Sequence, residues 1–269
     1  DNQTTTYTYN AQNKLIRVTV HSGQQVNVEE YRYDYAGNRI AKIGELSTTY
    51  YLVDTNGALS QVLAEYDENS SLKTYYTRGA ELISQERNGT KSYYLYDGHD
   101  SVRVLTDENG AAIDFYTYDA FGNLIEQIGD TENSYLYCGE QFDSFTGLYY
   151  LRARYMNPST GTFITMDEYS GSVFEPVSLH KYLYANANPV MYSDPSGYNA
   201  AALSLGGIGS AFASYAIAIA PYAVASACAI SIGLKMLNAL LDLLFNVTIT
   251  YSIIELQITA PVSYTHLTL

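Results

Sequence analysis

The eight-residue unit Tyr-x-Tyr-Asp-x-x-Gly-Asn, present at Tyr31–Asn38 and again at Tyr116–Asn123, constrains this chain more than any other feature. Its alternating tyrosines place bulky, β-favouring side chains on one face of a strand. The aspartate then opens an Asx-type turn, the glycine takes a position of positive φ, and the asparagine tolerates that turn while the next strand begins. Each unit therefore reads as a β-hairpin. Looser copies are YTYNAQNKL from Tyr7, YYLVDTNGAL from Tyr50 and YYLYDGHDSVRVLTDENGAA from Tyr93, which gives a period of roughly 20 residues. Val53–Gly57 and Thr106–Gly110 carry the same turn chemistry between β-favouring runs. The pattern predicts about ten strands before residue 150, with almost no helix. Hairpins in such a row bury a core only between neighbours, so a long coiling sheet is expected rather than an isolated globule.

Composition narrows the chemistry. The chain has 29 tyrosines and no tryptophan, and every buried tyrosine hydroxyl needs a hydrogen-bond partner. The net charge is −14, and 26 acidic residues against 13 Lys plus Arg fall before residue 199. That balance opposes phosphate binding, so nucleic acid is not expected as a partner of residues 1–198. Cys138 and Cys228 are too few for a disulfide framework or a zinc site, and His21, His99, His180 and His266 have no ligand spacing. The Asp/Asn-Gly turns lack the alternating carboxylates of a calcium loop. No metal and no cofactor is expected. The first residue is Asp1, and no n-region or apolar h-region opens the chain. It reads as starting inside a longer protein, so the lack of a signal peptide says nothing about secretion.

The character of the sequence changes at Tyr198. After it the only charges are Lys235, Asp242 and Glu255, and Pro195–Leu234 is an uncharged stretch rich in Ala, Gly, Ser and Ile. That stretch is longer than the roughly 20 residues that span a bilayer. Pro221 interrupts it, giving two expected helices near Ala201–Ala220 and Tyr222–Leu244. Residues 201–254 read either as a membrane-contacting segment or as a buried helical hairpin. The cluster Gly206-Gly207-Ile208-Gly209 follows a turn rather than a strand and is no dinucleotide fingerprint. Val262–Leu267 back-translates into a transposase-adapter sequence used in library preparation, so residues 261–269 are set aside from fold reasoning. Four segments result: repeats over 1–134, a motif-dense region over 135–198, the start of a variable, helical and apolar C-terminal region over 199–260, and the adapter-like residues 261–269.

The region 135–198 carries an ordered motif set. Thr146-Gly147-Leu148-Tyr149-Tyr150-Leu151-Arg152-Ala153-Arg154-Tyr155 is followed by Gly161-Thr162-Phe163, Asp167, Tyr182-Leu183-Tyr184, Asn188-Pro189-Val190 and Asp194-Pro195-Ser196-Gly197. With the preceding repeats it resembles the Rhs-repeat-associated core domain of bacterial YD-repeat proteins. Relatives of that domain occur in the C component of insecticidal toxin complexes, in wall-associated toxins of Gram-positive bacteria and in teneurins. The resemblance implies a mainly β fold in which a strip of hairpins spirals into a hollow shell, or cocoon, with the core domain plugging one end. It implies that the sequence after Asp-Pro-x-Gly is cargo, typically a toxin met by an immunity protein, in a secreted or envelope-associated bacterial protein.

The resemblance also implies chemistry: aspartyl self-cleavage between Tyr198 and Asn199, with Asp167 and Asp194 as the dyad. Two carboxylates near one water can share a proton, one acting as base and the other as acid. Thr162 stands where the family usually has Arg, and Met166-Asp167-Glu168 replaces the common Pro-Asp-Pro. Arg152 or Arg154 can supply the missing cation. The competing reading gives both aspartates turn geometry alone. Two other functions stay open: a surface or adhesion protein whose tyrosine-rich acidic sheet stacks on sugars, and a membrane-permeabilising effector acting through residues 201–254. After Tyr198 no Ser/His/Asp, Cys/His or His-Asn-His constellation occurs, so an effector activity is not readable.

Overall fold

The computed structural model describes residues 3–168, 170–171, 176–198 and the backbone of 201–202. Twelve strands form one antiparallel sheet whose spatial order is the chain order. They are β1 (Gln3–Tyr9), β2 (Leu15–Ser22), β3 (Gln25–Tyr33), β4 (Arg39–Ile43), β5 (Thr48–Asp54), β6 (Gln61–Tyr66), β7 (Leu72–Arg78), β8 (Leu82–Arg87), β9 (Thr90–Tyr96), β10 (Val102–Thr106), β11 (Ala112–Tyr118) and β12 (Leu124–Ile128). The sequence pattern undercounts them. In β6 and β8 the buried positions include Glu65, Ser84 and Gln85, which breaks the apolar alternation by which a half-buried strand is recognised.

The repeat turns have the geometry their residues require. Asp34 N–H donates to Asn38 O at 2.9 Å and Asp119 N–H to Asn123 O at 3.0 Å. Each carboxylate then accepts the asparagine N–H, at 2.9 Å in both copies. Gly37 and Gly122 sit at φ 84 and 89. The same closure recurs from Asp67 and Asp97, where Ser70 and Asp100 take the positive-φ position instead. At these turns the strand register slips beside the tyrosine that precedes the aspartate, as between Arg32 and Tyr33, Glu65 and Tyr66, and Thr117 and Tyr118. A bulge of this kind adds right-handed twist once per repeat.

Tyrosine hydroxyls knit successive hairpins together. Tyr33 donates to Leu15 O at 2.6 Å, Tyr96 to Leu82 O at 2.6 Å and Tyr118 to Val102 O at 2.9 Å. In the repeat that has Arg78 at this position, its Nε donates to Val62 O at 2.9 Å. In three of these repeats the other aromatic position is a buried tyrosine with a side-chain acceptor: Tyr31 on Glu29, Tyr76 on Glu65 and Tyr94 on Gln85. Glu65 and Gln85, two of the polar residues that obscured the strand pattern, are thus acceptors of the tyrosine ladder.

A second antiparallel sheet packs on the first: β13 (Gln141–Asp143), β14 (Leu148–Leu151), β15 (Arg154–Asn157) and β16 (Thr162–Phe163). All four residues of β14 are buried. One apolar cluster joins Tyr76, Leu105 and Tyr116 of the strip to Tyr149, Met156 and Phe163. Another joins Leu15, Val18 and Tyr31 to Leu148, Tyr150 and Tyr155. A final short pair, β17 (Tyr192–Ser193) and β18 (Ala201–Ala202), flanks the Asp194–Gly197 turn.

This pairing corrects one boundary, since the helix expected from Ala201 does not begin there. The reversal after Ser193 sets Ala201 opposite it, and this tertiary pairing overrides the high intrinsic helix propensity of alanine. The remainder of both expected helices, the rest of the segment 201–254 and residues 261–269 lie outside the described residues. Among the described residues there is no α-helix, only short 3₁₀ turns such as Tyr137–Gly139. No helix there is long and apolar enough to cross a membrane.

Candidate functional site

The two aspartates meet on one arginine. Arg154 opens β15, and its side chain is 6 % exposed. Its Nη2 lies 2.8 Å from Asp167 Oδ2 and 3.4 Å from Asp194 Oδ2. Nη1 donates to Lys181 O at 3.3 Å, Nε donates to Gly197 O, and the guanidinium carbon sits 3.7 Å from the Phe163 ring centroid. Burial pulls the guanidinium below its ordinary pKa, with Asp167 and Asp194 opposing that shift. The cation that Thr162 does not supply is therefore present. Thr162 itself lies 2.7 Å from the Thr160 hydroxyl.

The aspartates are held differently. Asp194 is buried, and its Oδ1 accepts the Ser196 hydroxyl and the Tyr198 N–H, each at 3.1 Å. Gly197 N–H closes the turn on Asp194 O at 3.2 Å. Asp167 is the more accessible partner, and its N–H donates to Lys181 O at 2.9 Å. The turn geometry expected of Asp194 and its contact with the arginine that holds Asp167 thus coexist, because Oδ1 serves the turn and Oδ2 the arginine. Tyr198 is partly exposed. Asn199 lies outside the described residues.

Arg152 reaches neither aspartate. It sits at φ 56, with Nη1 on both Glu140 oxygens at 2.8 and 2.9 Å, and it donates to Ser60 O at 2.9 Å and to Pro195 O. Burial pushes the Glu140 carboxyl up, and Arg152 counters it. Beside this arrangement lies a cavity of about 20 Å³ lined by Lys14, Ala153, Arg154, Glu168 and Tyr198. Such a volume holds a single water.

Sequence reasoning missed two features. One is Lys14, whose Nζ donates to Ala153 O at 3.2 Å and Arg152 O at 3.4 Å. The other is Arg39, buried against Asp143. An arginine directly after the Gly-Asn of a repeat turn was the available signal for the second. Among the described residues no three His, Cys, Asp or Glu side chains converge as a metal site. Cys138 Sγ lies 3.0 Å from His99 Nδ1, and burial pushes the thiol far up.

A strip of tyrosine-laddered hairpins, closed over a small core sheet that ends in an arginine-held Asp-Pro-Ser-Gly turn, defines a class of repeat-shell protein. The profile of the Teneurin YD-shell family matches residues 49–190, more than half of the chain, and the chain belongs to that family. The tRNA3(Ser)-specific nuclease WapA of Bacillus spizizenii is 38 % identical over 198 residues, covering 72 % of this chain and 8 % of the relative. The double-stranded DNA deaminase toxin A of Burkholderia cenocepacia is 26 % identical over 230 residues, covering 73 % of this chain and 16 % of the relative. The crystal structure of TcdB2-TccC3-Cdc42 matches with a TM-score of 0.56 at 20 % identity, over 77 % of this chain and 11 % of that one, and shows the fold. The chain thus spans less than a fifth of each of these proteins.

Proposed function

We propose that residues 1–198 are the closing part of a shell that houses a toxin, and that the core sheet cuts its own chain between Tyr198 and Asn199 to free the cargo that follows. The two relatives support the housing role. Each matches about three quarters of this chain, so the matched stretches overlap, yet one is named a tRNA nuclease and the other a DNA deaminase. A stretch shared by two unlike chemistries is the container rather than the weapon. The same reading places the parent protein outside the producing cell or in its envelope, with an immunity protein against the cargo.

The observation that carries the cleavage reading is the convergence of Asp167 and Asp194 on Arg154 beside Tyr198. One proton on the aspartate pair leaves it a single negative charge, which Arg154 balances. Asp194, already accepting from Ser196 and Tyr198, also orients the peptide, and both carboxylates take part in proton transfer. A water attacks the Tyr198 carbonyl carbon and gives a proton to the ionised carboxylate, while the protonated one donates to the carbonyl oxygen. Collapse of the tetrahedral intermediate breaks the C–N bond, and the Asn199 amine leaves with a proton. Confinement holds the peptide at high effective concentration, which suits a single turnover.

The test uses the full parent protein. Asp167→Asn and Asp194→Asn are each expected to leave it uncut. If either still releases a fragment whose first residue is Asn199, read by mass spectrometry, the assignment of the dyad fails.

A further inference from the structure

Three consecutive residues at the β14–β15 turn, Arg152 to Arg154, hold three consecutive carbonyls of the segment before Tyr198. Arg152 Nη1 donates to Pro195 O, Ala153 N–H donates to Ser196 O at 3.3 Å, and Arg154 Nε donates to Gly197 O. The two tripeptides run in step, residue for residue. All the acceptors are main-chain oxygens, so this clamp reads the register of the peptide rather than its side chains. It also leaves no room at Gly197, where an added Cβ would stand 2.3 Å from Leu151 O and 3.0 Å from Arg154 N. With φ at 72, only glycine fits there without strain.

The clamp is itself held from the repeat strip. Arg152 adopts the left-handed conformation, φ 56, which a bulky side chain takes only when its surroundings enforce it. Lys14, in the turn between β1 and β2, lies far away in sequence, and its ammonium donates to the carbonyls of Arg152 and Ala153. Its position is built: a Cβ on Gly37 would meet Lys14 Cε at 3.0 Å, so the repeat turn from Asp34 is shaped around the lysine stem. Lys14 also lines the cavity that Arg154 and Tyr198 share.

We infer that Lys14 is a positioning residue for the cut, fixing the Arg152–Arg154 clamp and so the register in which Tyr198 is presented to the aspartates. The inference rests on the cleavage reading above. It makes cleavage depend on the strip as well as the core: a core sheet not seated on the repeats lacks the ammonium that sets its clamp. Premature release from a half-folded chain is thereby disfavoured.

Full parent protein carrying Lys14→Met, which keeps the apolar stem, is compared with wild type and Lys14→Arg. Rate is read by gel and cut position by intact mass of the released fragment. Misplacing a reacting group by an ångström costs up to about a hundredfold, so Lys14→Met is expected to slow the cut by about tenfold or more. It is also expected to yield fragments that begin beside Asn199 as well as at it, whereas Lys14→Arg cuts at one bond and nearer the wild-type rate. Mixed fragment ends are the signature that a general loss of stability does not produce. If Lys14→Met is recovered only as insoluble protein, Lys14→Gln, which keeps a donor without the charge, takes its place. A single clean cut at the wild-type rate in the charge-free variant overturns the inference while leaving the dyad standing. A wild-type protein that is never cut fails the cleavage reading itself.

Discussion

Asp143→Asn is the perturbation that best tests how the core sheet is pinned to the repeat strip. Arg39 and Asp143 are paired with side chains only 1 % and 2 % exposed, so the ion pair is shielded from solvent. Arg39 also donates to Tyr155 OH and Gln141 Oε1, each at 3.2 Å. The rings of Tyr150, Tyr51, Tyr31 and Tyr155 surround its guanidinium at 4.3 to 5.8 Å. Lys42 Nζ stands 3.4 Å from the other oxygen of Asp143. Burial alone would raise the Asp143 carboxyl, but Arg39 and Lys42 together hold it below the usual range. Asparagine at this position leaves one fully buried and one half-buried cation facing a neutral amide. Breaking a buried pair in this way costs about 3–5 kcal/mol. Arg39→Met leaves Asp143 still neutralised by Lys42, so its cost lies at the lower end, and the double variant costs less than the two singles together. With 29 tyrosines and no tryptophan, tyrosine emission reports urea unfolding of the chain. At roughly 2–3 kcal/mol per molar, the Asp143→Asn midpoint falls by about 1–2.5 M. The pH dependence follows from the depressed carboxyl. Its contribution is complete above the ordinary value of 3.8 and is lost as pH falls through the lower folded value, and Asp143→Asn removes that acid limb. A loss under about 1 kcal/mol, or strict additivity of the two substitutions, refutes the pin.

Two further outcomes are expected. Gly110 and Gly122 occupy equivalent turn positions at φ 81 and 89, but an added Cβ meets nothing at Gly110 and meets the Tyr137 ring at 2.6 Å at Gly122. Gly110→Ala is therefore expected to cost about 1–2 kcal/mol for backbone alone and Gly122→Ala about 2 kcal/mol more, a difference that equilibrium unfolding resolves. Tyr118→Phe removes only the hydroxyl bond to Val102 O and is expected to cost about 1 kcal/mol in the same assay; a neutral result would mean that the tyrosine ladder acts through ring packing alone.

What the sequence disclosed and what it hid differ in kind. The Asp34–Asn38 and Asp119–Asn123 turns were legible because every interaction that closes them lies within five consecutive residues. Each further copy at Asp67 and Asp97 repeats the same chemistry. The count of strands slipped where a buried Glu65 or Gln85 acquires its meaning only from Tyr76 or Tyr94 on a neighbouring strand. Asp167 and Asp194 were reached through the order of motifs around them, since no spacing rule shows that two carboxylates so far apart share Arg154. Lys14 was signalled by nothing in the sequence and Arg39 only by its place directly after a Gly-Asn turn, because their partners Ala153 and Asp143 lie more than a hundred residues away.

Repetition makes the strip redundant, so losing one turn leaves others like it, whereas the contacts that seat the core occur once. Lys14, Arg39 and Arg152 are among the residues that bridge strip to core, Arg152 through Ser60 O. In a fold of this design such long-range contacts decide where the last segment, and with it Tyr198, comes to rest. Sequence drift within the repeats can therefore be absorbed by neighbouring hairpins, while a change at Lys14 or Arg152 acts on the clamp that holds the site.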